Sequence, residues 1–437
     1  MRVLAIDIGS SSVKAAVLTG VGVPNVVARM SFKTRHSGGE VDVDIKDIER
    51  ALYAAVGELN CKQVDVIVPT GMAPSWLAMD ANGRAITRVV THQDRRSVEQ
   101  AQQIETQLGR AKHLKLVGNR PVPGGISSTT HAWFNARQKS LMKRADLAGH
   151  LNTWLVRNWC GADARFADYS NASFSGFYRT CKLDDYDDAL LEAAGVKRAV
   201  LPEVVPANRV VGMCNAMSAR ALGVREGTPV LAGIMDGSCA MLLAGAEAGR
   251  VVNVVGSTDV LALCVDRAIP NEAWLTRALG VGRKWVAVAT ISAAGSAIDW
   301  AHRTLFAEVP VEVFHKRVAT IARKLKHANE NAVRFDTRLA GERTSIEALR
   351  GSITGLSLST TRDDILAAML TDLSAQSAAR IRQWEKMGLT LNRTVLTTGG
   401  DAQVARAMRR AWNGQWKFVN QNHATLRGLW NLAQSAI

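Results

Sequence analysis

The sequence predicts an α/β protein of two related lobes, each a mixed sheet flanked by helices. Three observations lead there. Apolar strand-like runs alternate with helix-like segments along the chain. A hairpin of one design stands near the start of each half. The length, 437 residues, exceeds one ordinary core and gives two domains.

The first hairpin opens the chain. Val3-Leu4-Ala5-Ile6-Asp7-Ile8-Gly9 is an apolar strand carrying one carboxylate, Ser10-Ser11-Ser12 is a polar turn, and Val13-Lys14-Ala15-Ala16-Val17-Leu18 returns as a strand. Next, residues 63–70 form a strand ending at Pro69, residues 97–108 a helix, and a further helix carries His131 and Trp133. Residues 229–235 form a strand that delivers Asp236-Gly237-Ser238, and a small-residue helix starts at Cys239. The second hairpin follows: residues 251–255, a Gly256-Ser257-Thr258-Asp259 turn, then residues 260–265. Residues 285–291 form a strand, and Ala294-Gly295-Ser296 opens a helix through Trp300. A long helix runs from about 360 to 387, with Thr361 and Asp364 as a capping box and Gly388 as its stop. Residues 394–398 form a strand meeting Gly399-Gly400, and a helix follows from Ala402, capped by Asp401. The lobes divide as 1–244 and 245–437, within the small-residue run at 244–249.

Composition narrows the class. The chain is 47% hydrophobic and 21% charged, as in soluble globular proteins. No apolar run reaches the roughly 18 residues of a membrane span, and no leader pattern opens the chain. Six scattered cysteines without a C-x-x-C pair argue against zinc or a disulfide framework and for a reducing cytoplasm. The net charge is +15, but its local groups at Lys316-Arg317, Arg323-Lys324-Lys326 and Arg406-Arg409-Arg410 lie on helix-like segments as solvated faces. That dispersion argues against a nucleic-acid partner and suits a small anionic ligand such as a nucleotide. The sequence allows a homodimer.

The hairpins carry the chemistry. A carboxylate in a buried strand needs a compensating partner. The Gly9-Ser10-Ser11 turn offers closely spaced N–H groups as a phosphate cradle, and Asp7 beside it is placed to hold Mg²⁺ together with waters and phosphates. Gly256-Ser257 offers a second cradle. Neither a P-loop nor a G-x-G-x-x-G fingerprint is present. Asp236, at a strand end, is either functional or the N-cap of the next helix. Gly399-Gly400 permits close approach of backbone to a ligand. In His92-Gln93-Asp94-Arg95-Arg96, adjacent Asp and Arg suit sugar hydroxyls.

In order, these segments resemble the FGGY carbohydrate kinases over nearly the whole chain. The first Gly/Ser turn is similar to that family's first phosphate motif and Gly256-Ser257-Thr258 to its second. Gly71-Met72, Asp80-Asn82-Gly83 and Gln93-Asp94-Arg95-Arg96 resemble its sugar-site segment, and residues 167–173 a further stretch of its first lobe. Gly227-Thr228-Pro229-Val230 with Gly233-Ile234-Met235-Asp236 resembles the segment bearing the catalytic Asp. Ala340-Gly341-Glu342-Arg343, Arg350-Gly351 and Gly355-Leu356 resemble a segment before the long helix, and Gly399-Gly400 the adenosine motif.

The resemblance implies an actin-like, ribonuclease-H-like fold with ATP, Mg²⁺ and a sugar or polyol as ligands. Asp236 would be the base and Asp7 would hold the metal. Gly9, Ser10, Ser11, Lys14, Gly256, Ser257, Gly399 and Gly400 would hold ATP; Met72, Trp76, Gln93, Asp94 and Asp236 would line the sugar site. Ketopentose-acting members carry Met-His where this chain has Met72-Ala73, and Trp where it has His92. Asn often stands where it has Gly237. Glycerol-acting members carry an Arg-Glu pair that it lacks, so a ketopentose such as xylulose or ribulose is the expected substrate. A catalytically altered, nucleotide-binding actin-like protein and a nucleic-acid-associated ATPase are the alternatives.

Overall fold

The structure, a computed structural model, describes residues 1–325, 333–399 and 402–436. The chain forms two compact units. The first comprises residues 1–246, 264–287 and 423–437, and the second residues 247–263 and 288–422. The division near 244 is therefore followed by two returns to the first unit that a contiguous second lobe of 245–437 does not anticipate.

The first unit is built on β1 (Val3–Ile8), the run with the embedded carboxylate, and β2 (Ser12–Leu18). They pair antiparallel with Asp7 opposite Lys14. Strand β3 (Ala28–Ser31) lies beyond β2. A second sheet takes the order β4-β5-β8-β7-β9, from β4 (Arg35–Ser37), β5 (Glu40–Val43), β7 (Ser75–Met79), β8 (Val89–Thr91) and β9 (Leu147–Gly149). Strand β6 (Val66–Gly71) lies parallel to β1, with Thr70 opposite Asp7. A short parallel pair joins β10 (Phe166–Asp168) to β11 (Glu203–Val205). Strands β12 (Val210–Met213), β13 (Pro229–Leu231) and β14 (Ile234–Met235) complete the main sheet, in the order β12-β13-β6-β1-β2-β3 with β14 also on β6. Leu4, Ile6 and Ile8 point into a core shared with Leu52, Leu77, Trp154 and Val230.

Two expectations fail at one place. Pro69 does not end its strand, which continues to Gly71, and the run 229–235 is two strands rather than one. The causes are linked. Met72 N–H donates to Ile8 O, so by the two-residue period of a strand the N–H that Pro69 lacks would face the other neighbour. There β13 ends and β14 has not begun. Gly233, at φ +75°, fills the gap; a Cβ there would lie 2.2 Å from Pro69 O, so only glycine fits.

In the second unit, β15 (Val251–Val255) and β16 (Asp259–Val265) form the second hairpin. With β18 (Trp285–Ile291), β21 (Thr394–Thr398) and β22 (Lys417–Asn420) they take the order β18-β16-β15-β21-β22, and β17 (Leu275–Ala278), which like the first residues of β18 belongs to the first unit, pairs with β18. Strands β19 (Arg334–Asp336) and β20 (Ser352–Thr354) pair separately. The long helix spans Arg362–Lys386, with N-cap Thr361 and Asp364 in the expected capping box. No helix among the described residues is long and apolar enough to cross a membrane.

Candidate active site

The first turn keeps its amides available. Gly9 N–H closes the hairpin onto Ser12 O at 3.0 Å, while no protein acceptor takes the N–H of Ser10 or Ser11 among the described residues. Both serines are exposed. Asp7 is 4% exposed. Burial pushes its carboxyl pKa up, and Lys14, with Nζ at 3.6 Å, opposes that shift. No group of three or more metal-ligating side chains occurs among the described residues. A single carboxylate beside open amides is a donor set for Mg²⁺ held largely by water and phosphate oxygens, so the residues fit that ion and not a protein-caged one.

Asp236 is half-buried at the end of β14. The helix begins at Asp236 itself and spans Asp236–Leu243, not from Cys239, and its N-cap is Met235. The capping alternative therefore fails: the Asp236 carboxylate accepts the adjacent Gly237 N–H at 2.8 Å. Residues on both sides of Asp236 are held. Met235 N–H donates to Ser170 Oγ at 3.0 Å, and Ser170 Oγ donates to Asp168. Asp168 is fully buried at the head of the helix Tyr169–Ala172. Burial raises its pKa to about 6, against hydrogen bonds from Ser170 and Asn171. Gly237 O accepts from Arg277 Nη2 at 2.9 Å, and Ser238 Oγ from Nη1. Cys239 Sγ lies 3.8 Å from Thr70 Oγ1, which ties this helix to the strand register beside Asp7.

The expected sugar-site residues separate. Met72 and Trp76 are buried. Trp76 packs against His131 and Phe134, with ring centroids at 5.3 and 4.8 Å. Gln93 is exposed. Asp94 is fully buried, and its carboxylate accepts Val41 N–H at 2.7 Å and Arg96 Nε at 2.9 Å. Arg96 also meets Asp42 at 2.8 Å. Burial raises the Asp42 pKa, but bonds from Arg35, Arg96 and Arg88 outweigh it and hold the carboxyl below the usual range. Asp94 thus anchors its own loop to the second sheet.

In the second unit three glycines converge. A Cβ at Gly295 would sit 2.5 Å from Gly256 O, and one at Gly399 3.1 Å from Val255 O. The N–H groups of Ala294 and Ser296 both donate to Ser257 O, at 2.9 and 3.2 Å, which fixes the second turn on the helix Gly295–Leu305. Gly400 and Asp401 lie outside the described residues. Behind the turn is a charge network that the sequence does not announce. Asp259 is fully buried; burial raises its pKa, and Arg380, at 3.8 Å, opposes the rise. Asn253 bridges Asp259 and Arg409, at 2.7 and 2.8 Å. Arg409 is therefore not on a solvated face. A cavity of about 380 Å³ lies nearby, bordered by Thr290, Arg334, Asp372 and Arg380; its lining omits Gly256, Ser257 and Gly399.

Arg277, Asp168 and Ser170 escaped assignment by sequence. The signal for Arg277 was available: a lone charge inside the mostly apolar run 274–279, a weaker form of the pattern that marks Asp7.

The chain is similar to known proteins over most of its length. The model of the FGGY family of carbohydrate kinases, N-terminal domain, matches residues 2–243, and that of its C-terminal domain residues 251–411. A glycerol kinase of Xanthomonas campestris is 27% identical over 401 residues, covering 86% of this chain and 77% of that protein. A gluconokinase of Bacillus subtilis is 23% identical over 385 residues, covering 84% and 74%. The crystal structure of xylulose kinase from Rhodospirillum rubrum superposes with TM-score 0.89 at 19% identity, covering 100% of this chain and 90% of that one. Gluconate kinase from Lactobacillus acidophilus does so with TM-score 0.87 at 17% identity, covering 100% and 89%. The fold is the actin-like, ribonuclease-H-like one.

Proposed function

The chain belongs to the FGGY family of carbohydrate kinases and is an ATP-dependent phosphotransferase, and from that premise we propose that its acceptor is a ketopentose such as xylulose or ribulose, with Asp236 as the base. The observation that carries this reading is the placement of Asp236. It is half-buried, at a strand end, and the backbone on both sides is held by Ser170 and Arg277. A carboxylate whose flanking backbone is held that way is positioned to take a proton from a hydroxyl with little reorganisation.

The remaining roles follow from phosphoryl transfer, which is mostly positioning and charge stabilisation. Ser10 and Ser11 N–H groups and Lys14 would receive phosphate oxygens. Asp7 would hold Mg²⁺, which when bound neutralises phosphate charge. Gly256, Ser257 and Gly399 offer backbone that a nucleotide approaches closely, and Gly400 is assigned with them from the sequence. Met72 and Gln93 would line the sugar site. Trp76 would act through the packing of His131, and Asp94 through the loop it anchors.

The substrate proposal rests on the absence of an Arg-Glu pair near Met72-Ala73, which leaves no clamp for glycerol. Sites that hydrogen-bond hydroxyls discriminate by stereochemistry more than by length. ADP release over xylulose, ribulose, gluconate and glycerol tests this. Ketopentoses should give the highest kcat/KM; glycerol or gluconate as best substrate would overturn the acceptor while leaving the kinase. On the best substrate, Asp236→Asn should lower kcat by ~10²–10⁴-fold with sugar KM little changed. Near wild-type kcat would remove Asp236 as the base.

A further inference from the structure

We propose that Arg277 is a positioning residue for Asp236: its guanidinium holds the Gly237 and Ser238 positions and keeps a cation beside the Asp236 carboxylate. This rests on the reading of Asp236 as the base.

Gly237 is held on both faces. Its N–H goes to Asp236 at 2.8 Å and its carbonyl takes Arg277 Nη2 at 2.9 Å. Nη1 bonds Ser238 Oγ. One guanidinium therefore fixes the two residues after Asp236 in a fork geometry that lysine does not reproduce.

The strand bearing Arg277 is itself pinned. Asn119 pairs with both backbone groups of Thr276, at 3.0 and 2.9 Å. Ala278 N–H donates to Ser173 Oγ at 2.9 Å. Hydrogen bonds thus hold both neighbours of Arg277, as a supporting shell for a catalytic group requires.

Arg277 is 2% exposed, and its direct bonds are to neutral oxygens. A buried cation needs opposite charge nearby. Burial lowers its pKa to about 10, and Asp236 and then Asp168 are the carboxylates whose charge opposes that shift. The dependence is mutual: the cation favours the ionised, proton-accepting form of Asp236. Other ionisable groups on the elements packed around Asp236 are Asp7 on β1, Tyr169 beside β14, Cys239 on its own helix and Arg427 on the helix packed along it. Arg277 is the cation bonded to the residues that follow Asp236.

The test uses the whole enzyme, ADP release on its best substrate, and binding of Mg²⁺-ADP by calorimetry. Arg277→Met should lower kcat by about 10-fold or more, leave sugar KM and Mg²⁺-ADP affinity within about twofold, and move the acid limb of kcat/KM upward. Arg277→Lys, which keeps the charge without the fork, should lower kcat while leaving the acid limb in place. A merely structural role would lower stability without moving the limb. An unmoved limb in a folded Arg277→Met, or wild-type kcat in Arg277→Lys, overturns the proposal. If Arg277→Met does not fold, Arg277→Lys alone decides. Failure of Asp236→Asn to reduce kcat would instead defeat the reading of Asp236, so the two failures are distinguishable.

Discussion

Buried carboxylates in this chain differ in what meets them, and that difference sorts roles. Asp7 faces one lysine at 3.6 Å and stands beside open amides, whereas Asp94 is satisfied by Val41 N–H and Arg96. Asp7→Asn should raise the Mg²⁺ concentration for half-maximal rate by about 10-fold or more, the cost of removing a group that orients bound water. A Mg²⁺ titration unchanged in a folded variant would remove the metal role. Asp7 was legible in the sequence because a lone charge interrupts an apolar run. The Val41 partner of Asp94 was not, since it lies 53 residues away and no local pattern encodes it. Buried histidines give a further prediction at this scale. His113, His131 and His150 are held down to about 4, 3 and 4 by burial, against 6.5 in the unfolded chain. Below pH 6.5 the unfolded state takes up protons that the folded state refuses. Stability present above that pH is therefore lost as pH falls toward 4, by on the order of a few kcal/mol. Asp168, raised to about 6, has the opposite sign: it adds stability as pH falls from 6 toward 4, one group against three. Urea midpoints should drop between pH 7 and 4.5; a flat or rising midpoint would contradict the three neutral imidazoles.

Elements followed their local codes wherever those codes were complete. Strands 285–291 and 394–398 and the Thr361 capping box stand where the residues place them, because alternation and capping are properties of short windows. The start of the helix at Asp236 and the interruption between β13 and β14 are not. Both depend on β6, whose Pro69 withholds an N–H from a neighbour more than 160 residues later. The burial of Arg409 was likewise hidden, because its acceptor Asn253 sits in the second hairpin. The helix Gly295–Leu305 carries a prediction of its own kind. Gly295→Ala would set a methyl 2.5 Å from Gly256 O, so the second turn or the helix must shift. ATP KM should rise about 10-fold, with sugar KM little affected and a stability loss of ~1–3 kcal/mol from overpacking. Unchanged ATP KM would separate this turn from nucleotide binding.

The molecule as a whole is less contiguous than its two halves of sequence imply. The family models end at residue 411, yet residues 423–437 belong to the first unit. The helix Ala424–Gln434 packs on the helix that begins at Asp236 and on β1. A Cβ at Gly428 would lie 2.1 Å from Cys239 O, so the approach is as close as backbone allows. Leu426, Leu429 and Leu432 are at most 1% exposed, worth ~1.5–3 kcal/mol each when buried. That sum rivals a whole domain's stability of ~5–15 kcal/mol. A chain ending at Asn422 keeps every family motif and should nevertheless lose cooperative unfolding of the first unit and aggregate; a soluble, cooperatively melting product would show the helix to be dispensable. Nothing in the helix itself announces this, since an amphipathic face does not name its partner. The same arrangement sets a timetable. A ribosome adding ~5–20 residues per second needs roughly ten seconds or more to pass from residue 246 to residue 423. Throughout that interval β1 and the helix that begins at Asp236 lack this cover while residues 247–422 emerge, of which 264–287 join the first unit. The half of the chain made first is thus the half that matures last, and stalled chains halted at 422 should remain open to protease around the very helix that carries Asp236.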